Sequence, residues 1–197
     1  SSVKTRFRRF SFEDGRIGCS RRRDKHNLYH SSMPTFKRLF DFLAAACGLI
    51  LLMPLLVILS LAVWLTMGAP VFFRQRRPGL GDEPFEILKF RTMNQRRGDD
   101  GLLLQDVKRT TRLGRWMRSA SLDELPTLVN VLKGDMSLVG PRPLLMKYLG
   151  RYTPQQARRN EVKPGITGLA QVKGRNSISW DRKFRYDVWY VDHQSFR

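Results

Sequence analysis

Two adjacent carboxylates, Asp123 and Glu124, stand in "SLDELPTLVNVLKGDMSLVGPRP" (residues 121–143), within a chain of 36 Lys and Arg against 17 Asp and Glu. Eighteen residues after Glu124, Arg142 is held between Pro141 and Pro143. Two fixed-φ neighbours stiffen the backbone there, which suits a guanidinium that grips phosphate bidentately with little loss of entropy. Arg118 lies five residues before Asp123, and Lys89 and Arg91 flank Phe90 in a strand-like run, so cations can converge on the acidic pair. Neighbouring helix residues point about 100° apart, so the two carboxylates are not expected to share one proton. Separate duties suit them better. One can attack phosphorus as a nucleophile. The other can hold Mg²⁺ or adjust the attack, since Mg²⁺ takes one or two carboxylates plus phosphate oxygens. A divalent ion and arginines would offset the charge of a carboxylate approaching a diphosphate. The plain alternative for Asp123 and Glu124 is helix capping.

The elements that must position these residues are legible in outline. Leu125, Leu128, Val129 and Leu132 share one helical face, and Gly134 is a C-terminal stop. The start admits two readings: a Ser121/Glu124 capping box, or Asp123 as N-cap with Pro126 at the third helical position. Either puts Asp123 at a helix N-terminus. "PVFFRQ" and "FEILKFRTM", separated by "RPGLGDEP", predict a small β-hairpin. "NQRRGDDGLLLQD" reads as a polar loop. "TRLGRWMRS" reads as a short helix with Arg112, Arg115 and Arg118 near one face. "VKPGITGLAQVKGRN" reads as loop with one short strand. "ISWDRKFRYDVWYVDHQSF" reads as a helix carrying Trp180, Phe184, Val188 and Val191 on one side, suited to the headgroup layer.

Composition bounds the partners. The formal net charge of +19 marks an anionic partner: nucleic acid, anionic lipid or a phosphorylated substrate. Neither a helix-turn-helix nor an RNA-binding signature is visible, so nucleic acid is set aside. Cys19 and Cys47 lie far apart and the three histidines are scattered, which argues against a zinc site or a Cys/His nucleophile pair.

From Phe42 to Phe73 there is no charged residue, and 26 of these positions form a continuous apolar run. About 20 apolar residues suffice to cross a bilayer. Pro54 sits mid-run, leaving two arms of roughly 18 Å each, shorter than the hydrocarbon core. Lys37 and Arg38 precede the run, and Arg74, Arg76 and Arg77 follow it. Basic flanks prefer the cytoplasmic side, so the segment is read as entering, turning at Pro54 and leaving on the same face. A kinked spanning helix is the other reading. The expected organisation is a basic arm over 1–34, a membrane-inserted helix–break–helix over 35–73 and a catalytic domain over 74–197. The fold class is α/β: mostly α with a small β-hairpin, and with amphipathic helices on the membrane surface.

About 155 of the 197 residues, from "FKRLFDF" through "FFRQRRPGL", "FEILKFRTM", "SLDELPTLVNVLKGDMSLVGPRPLL" and "VKPGITGLAQVKGRN" to "DVWYV", resemble the bacterial sugar transferases, the monotopic phosphoglycosyl transferases. The resemblance implies transfer of a sugar-1-phosphate from a UDP-sugar to polyprenol (undecaprenyl) phosphate, releasing UMP. The route would be ping-pong through a phosphosugar-enzyme intermediate, with Mg²⁺. It implies Asp123 as nucleophile, Glu124 as its partner, and both as the Mg²⁺ carboxylates. It implies substrate contacts from Lys89, Arg91, Arg118, Arg142, Gln171, Arg175 and Asp187. It also implies a re-entrant helix broken at a proline, often a Ser-Pro pair, where this chain has Met53-Pro54. The implied setting is the cytoplasmic face of the bacterial inner membrane, against anionic lipid, with homo-oligomers compatible. The implied role is the first membrane step of exopolysaccharide, O-antigen (lipopolysaccharide), capsule or glycoprotein synthesis. The competing reading is a membrane-tethered basic protein that binds nucleic acid or anionic lipid without catalysis.

Overall fold

The computed structural model describes residues 35–98, 101–174 and 177–194. The basic arm over 1–34 and Arg175 lie outside the described residues. The described chain is mostly helical, with two small two-stranded sheets.

Helix α1 (Thr35–Met67) runs 33 residues and contains Pro54. Helical backbone continues through Pro54, where the sequence predicts a break. A single proline removes one backbone donor, and neighbouring turns keep their bonds. Pro54 itself is exposed. Among the described residues α1 is the one helix long and apolar enough to cross a membrane, with a mean hydropathy of 2.8 in its most apolar window. Most of it is bare: Ile50, Leu51 and Leu65 are 69–81% exposed. One stripe is covered instead. Lys37, Asp41 and Ala45 are buried at the start, and Leu59 and Val63 near the end.

Both ends of α1 are tied to the rest of the chain. Arg38 donates to the Val131 and Leu132 carbonyls at 2.5 and 2.7 Å. Lys37 pairs with Asp41 at 3.1 Å and donates to Ser137 Oγ, while Asp41 accepts from Ser137 Oγ at 2.7 Å and from the Leu138 amide at 3.2 Å. At the far end, Arg91 donates to the Met67 carbonyl and to that of Gly68 at 2.8 Å. Buried charges persist where paired and hydrogen-bonded, and Lys37 and Asp41 meet both conditions.

The expected hairpin is present. Strands β1 (Phe72–Pro78) and β2 (Pro84–Phe90) pair antiparallel, with Phe73 opposite Lys89 and Gln75 opposite Ile87. Period-two alternation therefore puts Phe73, Gln75 and Arg77 on the face that carries Lys89. Further along the Lys89 face, Ile87 packs with Ala45, Val131 and Met136; on the opposite face, Phe90 packs with Leu59, Val63 and Met117.

A one-turn helix, α2 (Asp106–Arg109), precedes α3 (Arg112–Ser119), whose N-terminus is capped by Thr111 Oγ1 accepting from the Gly114 amide at 2.9 Å. Neither expected start of the next helix is realised. Leu122–Thr127 is a 3₁₀ segment, Ser121 before it is left-handed (φ 57°) and its side chain makes no capping bond. Glu124 is spent on cations rather than on the Ser121 amide, so no capping box closes. The α-helix proper, α4 (Leu128–Lys133), begins after Pro126 and ends at left-handed Gly134 (φ 93°), as the sequence predicts. The parallel pair β3 (Ser137–Val139) and β4 (Gly165–Thr167) brackets the Pro-Arg-Pro loop. Of these, β3 is a strand the sequence reading does not contain. Short helices α5 (Pro154–Ala157) and α6 (Leu169–Val172) lead to α7 (Trp180–Asp192), with Val188 buried and Trp180 and Trp189 about half exposed.

Candidate active site

Three elements remote in sequence deliver the polar centre. Strand β2 presents Lys89, the 3₁₀ segment presents Glu124, and the loop after β3 presents Arg142. Lys89 Nζ lies 2.6 Å from Glu124 Oε1. Arg142 forks onto the same carboxylate, with Nη1 3.0 Å from Oε2 and Nη2 on Oε1. Burial alone would raise the Glu124 carboxyl; the Arg142 fork and Lys89 overcome it and hold the group down at about 2. Lys89 is lowered by burial, which Glu124 opposes. The rigid Arg142 was expected to meet a phosphate; without ligand it meets Glu124.

Asp123 lives under different terms. Among the described residues no ion pair holds it. Its pKa is raised, first by burial and then by the Glu124 charge, with Lys89 and Arg118 pulling the other way. The two neighbours are thus driven apart: one carboxylate clamped and stabilised, the other held less comfortably, with a backbone hydrogen bond and, among the described residues, no ion pair. Pairs of groups split in this way are where acid, base and nucleophile roles are found. Both open into one cavity of about 1090 Å³.

The bacterial sugar transferase family model matches residues 32–197. The chain belongs to the bacterial sugar transferase family. It is 59% identical over 161 residues to an uncharacterized sugar transferase, EpsL, of Bacillus subtilis, covering 81% of this chain and 79% of that one. It is 48% identical over 151 residues to a UDP-glucose:undecaprenyl-phosphate glucose-1-phosphate transferase of Caulobacter vibrioides, covering 70% and 54%. It is 38% identical over 190 residues to a UDP-galactose-lipid carrier transferase of Erwinia amylovora, covering 88% and 40%. The sugar transferase chain therefore spans about half or less of the length of the last two.

Of the remaining residues expected in the site of this sugar transferase, Arg91, Arg118, Gln171 and Asp187 line the same cavity, and each already has a partner. Arg118 Nε donates to Thr92 Oγ1 at 2.9 Å. Arg91 is spent on the carbonyls that end α1. Gln171 donates to the Ile166 carbonyl at 3.0 Å, which leaves its amide oxygen facing no donor. Asp187 is buried against Arg159 at 2.7 Å, and Arg159 donates in turn to the Arg142 carbonyl at 2.7 Å. Asp187 thus supports the Pro-Arg-Pro loop from behind. Sequence reasoning missed Arg159, which gives no local signal because its partners lie 17 and 28 residues away. It also missed Asn130, which accepts from the Leu88 amide at 3.0 Å and donates to the Glu86 carbonyl at 2.7 Å, fixing β2 against α4. Period-two reading from Lys89 across the hairpin would have found a third, Arg77.

Among the described residues no cluster of three or more His, Cys, Asp or Glu gathers. The carboxylates that could hold Mg²⁺ are Asp123 and, after exchange with a cation, Glu124. So sparse a donor set fits an ion that keeps several waters and arrives on a substrate diphosphate.

Proposed function

We propose that this protein transfers a sugar-1-phosphate from a UDP-sugar to polyprenol phosphate through a covalent bond to Asp123. The observation that carries the reading is the division between the acidic neighbours. Glu124 is pinned by Arg142 and Lys89, whereas Asp123 has no ion-pair partner among the described residues and a raised pKa. A carboxylate with raised proton affinity is the better nucleophile.

An Asp123 oxygen attacks the phosphorus that bears the sugar. The bond from that phosphorus to the bridging oxygen breaks, and UMP leaves with the electron pair. The enzyme then carries an acyl-linked phosphosugar. A phosphate oxygen of the lipid attacks the same phosphorus, the Asp123–phosphorus bond breaks, and the carboxylate is restored as the lipid-diphosphate sugar forms. Lys89 and Arg142 bring positive charge to the anions, and Arg118 adds to the field at Asp123. Mg²⁺ held by Asp123 and Glu124 would supply further charge neutralisation at the diphosphate. Relatives support this substrate pair: the Caulobacter protein is a UDP-glucose:undecaprenyl-phosphate glucose-1-phosphate transferase, and a Salmonella typhimurium relative, 39% identical over 186 residues, is an undecaprenyl-phosphate galactose phosphotransferase. An exopolysaccharide production protein, ExoY of Rhizobium meliloti, is 37% identical over 177 residues and supports a place in glycan synthesis.

The same proposal sets the enzyme at the cytoplasmic membrane face, with α1 dipping into the bilayer and returning. Arg38 near the start and Met67 at the end of α1 are both bonded to one polar domain. A straight helix of this length would span roughly 50 Å. Laid along the domain, it would carry charged surface into hydrocarbon. A dip at Pro54, where Ile50 and Leu51 are most exposed, avoids this cost.

The test is mass spectrometry of protein incubated with UDP-sugar and no acceptor. A sugar-phosphate mass is expected on the peptide bearing Asp123, with UMP released, and neither in Asp123→Asn. Absence of the adduct in active wild-type enzyme refutes the covalent route. For topology, Thr35→Cys and Arg76→Cys, in a chain lacking Cys19 and Cys47, should both label from the cytosolic side; labelling from opposite sides refutes re-entry.

A further inference from the structure

Among the described residues, the five buried side-chain atoms without a hydrogen-bond partner all belong to residues that line the main cavity: Arg77, Arg91, Asn94, Arg109 and Gln171. Buried polar groups normally find partners, so such a concentration marks where a polar ligand completes the bonding. Arg77 is the one beside the reacting carboxylates, and neither the family resemblance nor the motif reading assigns it a role. It projects from β1 on the Lys89 face, half-buried. Its Nη2 donates to Gln75 Oε1 at 2.7 Å, and its Nη1 reaches the Pro143 carbonyl only at 3.4 Å. Its Nε–H has no acceptor. No carboxylate pairs with it among the described residues, since both Glu124 oxygens belong to Arg142 and Lys89. Burial and the nearby Arg142 charge both disfavour its cationic form. Arg77, Lys89, Glu124 and Arg142 also line a second cavity of about 100 Å³.

Three cations, Arg77, Lys89 and Arg142, share the site with two carboxylates, Glu124 and Asp123, and the excess positive charge in a partly dry site costs stability unless an anion completes it. We propose that Arg77 is a phosphate-binding residue of this site, gripping a substrate phosphate beside Arg142. This rests on the transferase reading. The phosphate comes from the nucleotide donor or from the lipid acceptor, and the two sources are separable.

The experiment measures thermal unfolding of the detergent-solubilised full chain with and without UDP, and with and without a short-chain polyprenol phosphate. Wild type, Arg77→Gln, Arg77→Lys and Asp123→Asn are compared. Arg77→Gln should leave the ligand-free Tm unchanged or higher, because an unpaired cation has gone. It should weaken one of the two ligands by roughly 10- to 100-fold, the loss of a charge-assisted hydrogen bond. Arg77→Lys should recover part of the affinity. Weakened UDP identifies the donor phosphate; weakened polyprenol phosphate identifies the acceptor's. UDP carries no sugar to transfer and each ligand is added alone, so binding is read independently of the covalent step, which Asp123→Asn blocks in any case. A lower ligand-free Tm with both affinities within twofold of wild type makes Arg77 merely structural and overturns the assignment. A wild-type protein that responds to neither ligand refutes the transferase reading, and the assignment falls with it.

Discussion

Replacing Glu124 with Gln keeps the shape of the side chain and removes the charge that Arg142 and Lys89 share. The Glu124 carboxyl is only 17% exposed, and in the fold it is held at about 2 against an ordinary 4.5. At about 1.4 kcal/mol per pH unit, that distance corresponds to about 3 kcal/mol of stability at neutral pH. The net loss falls nearer 2 kcal/mol, because Arg142 is 41% exposed and finds water, and because Asp123 is relieved of a like charge. The sign follows from the lowered value. The stabilisation is fully present above pH 4.5 and is lost as pH falls from there through about 2. Urea unfolding of detergent-solubilised wild type and Glu124→Gln should therefore show a gap of about 2 kcal/mol at pH 7 that narrows steadily below pH 4.5 and closes near pH 2. A gap that is absent at pH 7, or that stays constant down to pH 2.5, would refute the claim that the Arg142–Glu124–Lys89 cluster holds an ionised carboxylate.

Other outcomes follow from the same contacts. Asp123→Asn should abolish UMP release yet raise the Tm at pH 7, because burial and Glu124 make the ionised form costly in the fold; the gain should fade as pH falls below the ordinary carboxylate range, where wild-type Asp123 is neutral in both states. Asp41→Asn leaves Lys37 charged and buried without its counterion, so unfolding should show a loss of about 3–5 kcal/mol, with Arg38 and α1 loosened in hydrogen exchange. Gly114→Ala would set a Cβ 2.1 Å from the Thr92 carbonyl oxygen, forcing α3 away from the strand that leads to the site; a loss of about 1–3 kcal/mol and lower transfer activity are expected, read by thermal unfolding and a UMP assay.

Local order was legible where it depends on neighbours in the chain. The apolar run, the hairpin around "RPGLGDEP", the stop at Gly134 and the C-terminal helix each follow from periodicity or from the conformational limits of Gly and Pro, which act within a few residues. The capping readings of Ser121 and Asp123 failed because they too were local, whereas the Glu124 side chain answers to Lys89, 35 residues before it, and Arg142, 18 after.

By itself the sequence determined that an acidic pair, a rigid arginine and a membrane-seeking helix occur in one basic chain, because residue type and short spacing carry that much. Only the tertiary structure decided that Glu124 is the clamped carboxylate, that Asp187 braces Arg159, and that Asp123 and Arg77 have no ion pair among the described residues. Those assignments turn on which charges meet across long chain separations at a few ångströms. Coulombic and hydrogen-bond energies depend on those distances and on the loss of water, and neither is written in the order of residues.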